Sequence, residues 1–282
     1  MPIPRLSIIV PTLNEAEGIA NLLVSLMPLR QRGHEVIVAD GGSIDNTVEL
    51  SCPLADVVIK APRGRAAQMN AGVALASGDV LLFLHADTRL PPQADELILK
   101  HLTHPACGFT HLTLDPPHYD PAQAMRQDGL INPEPQKPDK SNEFASTLEA
   151  HFCQEYLWGR FDVTIEGKHP FLPVVAWLMN HRSRLTGIAT GDQAMFVYRE
   201  VFEAVGGFPN IALMEDIALS KKLKAISSPM CLKARVTTSG RRWEKHGILR
   251  TILKMWRLRL AYFFGVDPIR LAKAYGYEPH ND

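Results

Sequence analysis

Apolar runs cut off by Gly, Pro and Asp set the pattern of the N-terminal part of this chain. Val80–Leu84 is the plainest, lying between the Gly78-Asp79 turn and His85-Ala86-Asp87, with Pro91-Pro92 beyond. An unbroken Val/Leu/Phe run between breakers predicts a strand buried on both faces, as parallel sheets require. Three runs precede it: Leu6–Val10 ending at Pro11, Glu35–Ala39 ending on Asp40-Gly41-Gly42-Ser43, and Val57–Lys60 leading into Pro62-Arg63-Gly64-Arg65. Between them, Ile19, Leu22, Leu23, Leu26 and Met27 recur at helical spacing. Asp45 and Asn46 open a second helix with Ser43 as its cap, and a small-residue helix reaches Ala76. Strand, turn and helix in alternation predict a parallel sheet with right-handed crossovers.

The periodicity stops between about His111 and Tyr156. Prolines from Pro116 to Pro138 and the polar run Gln136–Asn142 predict an irregular, exposed segment. Glu143–Trp158 has the pattern of an amphipathic helix. His111, His118 and Asp120 fall on no regular element and read as a solvated loop rather than a metal site. Order resumes with a strand at Gly159–Ile165, then a helix through Leu172–Leu178 with Arg182-Ser183-Arg184 at its end. A turn at Gly187–Gly191 leads by Asp192-Gln193 to a strand at Ala194–Tyr198. Gly206-Gly207-Phe208-Pro209 precedes Leu213-Met214-Glu215-Asp216, which opens a helix to about Ala225. Val236–Ser239 forms a strand, and one long helix runs from about Glu244 to Phe264. Its apolar positions Ile248, Leu249, Ile252, Leu253, Trp256, Leu260, Phe263 and Phe264 predict a docked face, with Arg250, Lys254 and Arg257 a solvated basic stripe. The alternative is an interfacial helix lying on anionic lipid. The expected divisions are 1–110, an insertion at 111–156, 157–240, and a basic C-terminal helix with tail at 241–282.

Composition adds little to this. The 282 residues are 46% hydrophobic and 21% charged, which suits one large α/β domain. Thirty basic residues balance thirty acidic ones, so nucleic acid is not an expected partner. Cys52, Cys107, Cys153 and Cys231 show no CxxC spacing and read as buried thiols in a reducing compartment. No apolar run approaches the roughly 18 residues that span a bilayer. The chain enters a strand almost at once without a signal-peptide layout. The expected location is therefore the cytoplasm.

The chemistry sits at the strand ends. Ligands of a parallel sheet bind outside its carboxyl edge, and the successive ends carry Glu15, Asp40, Arg65 and Asp87. An Asp at such an edge can hold a divalent metal against phosphates; its plainer role is to cap the next helix. Neither GxGxxG nor a Walker A sequence occurs. Glu215 and Asp216 satisfy the helix dipole in a first turn, yet two adjacent acids after a Gly-Gly-Phe-Pro loop also suit catalysis.

Taken in order, PTLNE at 11–15, DGGS at 40–43, HAD at 85–87, GDQAMF at 191–196, GGFP at 206–209 and MED at 214–216 resemble a family-2 glycosyltransferase of GT-A fold. The similarity is strongest to a bacterial subgroup with TSGRRW, here 238–243, before a basic helix. The resemblance implies a single α/β domain of the GT-A kind: a Rossmann-like, mostly parallel sheet flanked by helices, with a C-terminal amphipathic helix. It also implies a metal-dependent, inverting sugar transfer from a nucleotide-diphosphate sugar, a UDP- or GDP-sugar, to the hydroxyl of an unidentified acceptor. Asp40 would bind the nucleoside base, with Pro11, Leu13 and Glu15 lining the same pocket. Arg65 would lie near the diphosphate. Asp87 would hold Mg²⁺ or Mn²⁺, Asp216 would be the general base with Glu215 beside it, and Arg242 and Trp243 would close over the substrates.

Two departures stand out. His85 occupies the first acidic position of the usual DxD motif, and His246 follows the RRW as a further ligand candidate, read first as a surface residue. The insertion is expected to act as a lid or partner surface. The basic helix at 244–264 suggests a lipid-linked or membrane-near acceptor and a peripheral position on the inner membrane face. Two rival functions are a non-catalytic sugar-nucleotide sensor or scaffold and a nucleotidyltransferase. The second would place a Gly-rich basic loop where Pro-Thr-Leu-Asn-Glu stands.

Overall fold

The computed structural model describes residues 4–102 and 156–277. Residues 111–155 of the expected insertion, with His111, His118 and Asp120, lie outside the described residues, as do Cys107, Cys153 and the His246 side chain.

The four N-terminal runs form β1 (Leu6–Thr12), β2 (Glu35–Asp40), β3 (Val57–Lys60) and β4 (Val80–Phe83). Between them lie α1 (Ile19–Gln31), α2 (Thr47–Ser51) and α3 (Arg65–Val73); β5 (Thr88–Arg89) and α4 (Ala94–His101) follow. After the undescribed stretch come β6 (Trp158–Glu166), α5 (Leu172–Thr186), β7 (Phe196–Tyr198), α6 (Arg199–Ala204), α7 (Glu215–Ile226) and β8 (Met230–Ser239). Three helices close the described chain: α8 (Arg241–His246), α9 (Ile248–Phe263) and α10 (Pro268–Tyr275). One eight-stranded sheet runs β3-β2-β1-β4-β7-β6-β8-β5. Its β1, β2, β3 and β4 pair in parallel, β7 lies antiparallel between β4 and β6, and β6 pairs in parallel with β8. The β1, β2 and β4 residues are buried throughout, as continuous apolar runs demand.

Polar residues fix the amino edge of this sheet. The Glu35 carboxylate accepts from the Ser7 hydroxyl, the Ser77 amide at 2.6 Å and the Gly78 amide at 3.2 Å. That joins the starts of β1, β2 and β4. Nearby, Asp95 of α4 takes both Arg32 nitrogens, at 2.6 and 2.8 Å, and His34 Nε2 at 3.0 Å. His34 Nδ1 accepts from the Leu6 amide, so Nε2 carries the proton that faces Asp95.

Several expectations change here. Ser43 does not cap α2: its hydroxyl donates to Asp40, and Asp45 receives the Thr47 amide instead. Trp158 opens β6 rather than closing a helix, with its indole N–H bonded to the Ser227 carbonyl at 2.8 Å. Cys52 is exposed and Cys231 half-buried, so neither is the buried thiol expected. The long C-terminal helix is two helices, because Gly247 at φ +81° interrupts it; that conformation favours a residue without a Cβ.

Of the apolar positions expected to dock α9, Ile248 and Ile252 do so and the others face outward. Leu249, Leu253, Trp256, Leu260, Phe263 and Phe264 are 59–75% exposed. Thr251 and Leu258 join Ile248 on the docked side, with Ile248 and Ile252 packed on Leu172, Val175 and Ala176 of α5. Leu258 joins Leu271 and Ala272 of α10 and Ile217 of α7.

Burial alone would raise the Asp95 pKa, but hydrogen bonds from Arg32 and His34 outweigh it and hold the value below the ordinary carboxyl range. Asp95→Asn should therefore cost about 2–3 kcal/mol at neutral pH. A lowered folded-state pKa gives stability that is full above the unfolded value and lost as pH falls through the folded one. The gap in Tm between wild type and variant should close in acid.

Candidate active site

At the carboxyl edge of β1 and β4 the sheet opens onto a cavity of about 490 Å³. Pro11, Leu13, Glu15, Arg65, Asp87, Glu215, Asp216, Arg242 and Trp243 all line it. Only one of the expected site residues is elsewhere. Asp40 is buried and absent from the lining; its carboxylate accepts from the Gly42 and Ser43 amides at 2.9 and 2.8 Å and from the Thr12 and Ser43 hydroxyls. Those four bonds occupy it in shaping the Asp-Gly-Gly-Ser turn. The PTLNE loop is pinned to that turn through Asn14, whose amide donates to the Ser43 hydroxyl and whose side chain accepts from the Ile44 amide.

A short 3₁₀ turn, Gly191–Gln193, joins the two sides of the cavity. Thr190 and Gln193 cap it reciprocally. The Gly191 amide donates to Asp216 Oδ2 at 3.0 Å, and Asp192 stands 3.6 Å from His85 Nδ1. The Gly191 backbone lies so close to the His85 ring that an added Cβ would overlap it. Asp216 Oδ1 accepts from the Ile217 amide at 2.7 Å. Glu215 is buried and its Oε1 lies 3.2 Å from Arg65 Nε. Both acids stand in the first turn of α7 and Asp216 takes one of its amides, so the expected dipole role holds at the same time as their place on the cavity.

The GGFP loop delivers these acids. Phe208 stacks edge-on against Phe83 of β4 at 4.8 Å and packs on Phe202 at 5.5 Å. Asn70 of α3 both donates to and accepts from the Phe208 backbone. Three left-handed non-glycine residues cluster here: Asn14, Ala194 and Met214. Such conformations persist where surrounding structure over-determines them, as at functional sites.

Charge in the cavity is uneven. Burial and then repulsion by Asp87 raise the Glu15 pKa. Burial and repulsion by Asp216 raise that of Glu215 against the pull of Arg65. Burial works against a charged His85, but the Asp192 hydrogen bond and the Asp192 and Asp87 charges prevail and raise its pKa.

Periodicity did not disclose the C-terminal lining. Thr251, Met255 and Arg259, spaced four apart on α9, face the cavity with Tyr275 and Tyr277. Arg242 lies over the Tyr275 ring at 4.3 Å and Lys254 at 5.6 Å. Gln68 also lines the cavity, tying β1 to β2 by bonds to the Thr12 and Ala39 carbonyls. The i, i+4 spacing of Thr251, Met255 and Arg259 was the available signal.

Comparison with known proteins bears on this arrangement. The family model for Glycosyl transferase family 2 matches residues 7–166. The chain belongs to that family. The undecaprenyl-phosphate 4-deoxy-4-formamido-L-arabinose transferase of Yersinia pestis is 30% identical to this glycosyltransferase over 103 residues, covering 33% of this chain and 32% of that protein. The family-2 chain thus spans about a third of that relative's length. Among solved structures it is similar to the mannosyltransferase PcManGT of Pyrobaculum calidifontis in complex with GDP-Man and Mn²⁺. There the TM-score is 0.54 at 20% identity, over 92% of this chain and 61% of that one. S. aureus TarS 1-349 in complex with UDP gives a TM-score of 0.53 at 15% identity, over 83% of this chain and 60% of that one. These likenesses show a GT-A fold for the glycosyltransferase.

Gly191→Ala should cost about 1–3 kcal/mol through overlap with His85. The drop in denaturant midpoint, at unchanged slope, measures it.

Proposed function

We propose that this glycosyltransferase moves a sugar, with inversion, from a nucleotide-diphosphate sugar to an acceptor hydroxyl, with Asp216 as general base and Asp87 on the diphosphate side. The observation that carries the proposal is the meeting of Asp87, Arg65, Arg242, Glu215 and Asp216 around one cavity. The acceptor oxygen attacks the anomeric carbon as its bond to the diphosphate breaks, and the acceptor proton passes to Asp216. Two backbone amides aim the Asp216 carboxylate. The guanidiniums of Arg65 and Arg242 supply positive charge for the leaving diphosphate, and Trp243, packed beside Ile165, Leu172 and Met179, gives the cavity an apolar wall.

A divalent metal fits as a guest of the substrate. Among the described residues no three His, Cys, Asp or Glu form a ligand cluster. Asp87 is a single carboxylate at a strand end, and Mg²⁺ or Mn²⁺ bound mainly by phosphates needs few protein ligands. When bound, the ion would neutralise charge on the departing diphosphate. The known relatives lend the donor class: GDP-Man with Mn²⁺ in one neighbour and UDP in another.

The reading extends to a membrane-near acceptor. No helix of the described residues is long and apolar enough to cross a membrane. Yet Leu249, Leu253, Trp256, Leu260 and Phe263 form an exposed stripe on α9, with exposed Phe171, Val174 and Trp177 at α5. The exposed Arg250, Lys254 and Arg257 follow the same helix. Apolar and basic stripes side by side suit an anionic bilayer surface.

A thermal-shift panel of UDP- and GDP-sugars, with and without Mn²⁺, tests the donor. Metal-dependent stabilisation by one of them, absent in Asp87→Ala, is the expected result. Asp216→Asn should keep that shift while transfer slows by about 10²–10⁴-fold. No released nucleoside diphosphate from the wild type with any donor would leave the sensor reading instead. Sedimentation with anionic vesicles tests the surface: Leu253→Glu/Trp256→Glu should abolish binding, and reversing Arg250, Lys254 and Arg257 should remove its dependence on anionic lipid. Unchanged sedimentation in both variants would exclude the membrane position.

A further inference from the structure

Nearly every buried charge in this glycosyltransferase has a partner. Arg160 pairs with Asp162, Asp95 with Arg32 and His34, and Glu35 with Arg5 and two serines. The half-buried Arg182 of α5 and Arg259 of α9 do not follow this pattern. Among the described residues neither lies within 4.0 Å of a carboxylate oxygen. Arg182 Nε and Nη2 and Arg259 Nε are buried with no hydrogen-bond partner. Burial first, then the Arg259 charge, lowers the Arg182 pKa to about 10, and burial lowers that of Arg259.

Two unpaired like charges from different helices are costly to hold together in a folded protein. Such a cost persists where function uses the charge. Arg259 lines the cavity, and Arg182 follows the lining residue Met179 by three positions on its helix. Both are drawn towards Asp216 and Asp192, whereas the donor-side Arg242 is drawn towards Asp192 and Asp87. Arg259 shares the cavity lining with Asp216.

We propose that Arg182 and Arg259 form an anion site for the acceptor, taking a phosphate monoester carried close to the hydroxyl that Asp216 deprotonates. The word acceptor rests on the glycosyl-transfer reading; the anion site does not. Three unpartnered nitrogens match the three terminal oxygens of a phosphate monoester, and its charge of about −2 neutralises two guanidiniums. A carboxylate offers two oxygens and one charge, and leaves one arginine uncompensated. The phosphate could belong to a soluble phosphorylated molecule or to a phospholipid headgroup, and the two sources share this chemistry.

Methyl phosphate, titrated at constant ionic strength against wild type, Arg182→Gln, Arg259→Gln and Arg259→Lys, tests the site by thermal shift. Saturable stabilisation of the wild type is expected, with binding at least about tenfold weaker in both Gln variants and an intermediate loss in Arg259→Lys. Arg259→Lys keeps the charge and serves where a Gln variant does not fold. The shift produced by UDP or GDP with Mn²⁺ should be the same in all four proteins. Vesicles containing phosphatidic acid, compared with phosphatidylcholine alone, separate the sources: an arginine-dependent gain on phosphatidic acid assigns the phosphate to a lipid, and its absence beside methyl phosphate binding assigns it to a soluble acceptor. Identical methyl phosphate titrations in wild type and variants, or competition between methyl phosphate and UDP or GDP with Mn²⁺, would overturn the proposal. A wild type that binds methyl phosphate through this pair but no sugar nucleotide would keep the anion site and remove the glycosyl-transfer reading.

Discussion

The contact between Gly191 and His85 is the one on which the rest of the cavity depends. A strand end, a 3₁₀ turn and a helix start meet there with no room for a Cβ. From that point the Gly191 amide reaches Asp216 and the neighbouring Asp192 reaches His85. The two carboxylates that a group transfer would need on opposite sides, Asp87 and Asp216, are thereby registered by a few backbone atoms. Preorganisation of this kind costs nothing at the moment of reaction, because the donors are already aimed.

Its cost is carried elsewhere in the fold. Asn14, Ala194 and Met214 adopt left-handed backbone conformations, each disfavoured by about 1–2 kcal/mol for an L residue. Each flanks a functional loop, and each loop is held from behind. Asn14 is bonded to the Asp-Gly-Gly-Ser turn, Ala194 follows the Thr190–Gln193 capping box, and Met214 packs in a cluster with Leu213, Ile217 and Leu258. The three-ring group of Phe83, Phe202 and Phe208 gives the GGFP loop a rigid base on β4. The amino edge of the sheet has its own polar anchors at Glu35 and Asp95, so the carboxyl edge is free to carry unbalanced charge.

Val80–Leu84 was legible to within one residue because burial on both faces leaves no choice of residue, and the half-buried edge strand Val57–Lys60 was legible to the residue from its β-branched run between breakers. Glu15, Arg65 and Asp87 were legible because strand ends of a parallel sheet must converge, whereas Pro11, Leu13, Arg242 and Trp243 entered only through the family resemblance. Asp40 has contacts that pattern did not show. In a Gly-Gly turn an aspartate has free amides within two and three residues, and those amides hold its carboxylate. Ser43 was misread as a cap by the same competition. The pairing of β7 antiparallel to its neighbours, with only three residues, left too short a signal for its direction to be read.

The hardest element to read was α9, because it carries three stripes instead of two. An apolar stripe normally marks the docked face of a helix, and here Leu249, Leu253, Trp256 and Leu260 point outward while Thr251, Met255 and Arg259 point into the cavity. Such a helix serves the site with one face and presents a second to the surroundings. The mixed polarity of its inner face is what a substrate-lining surface needs, and the apolarity of its outer face is what a core would have used. The sequence pattern of α9 therefore reports a division of labour between cavity and surface, and its periodicity alone cannot say which stripe does which.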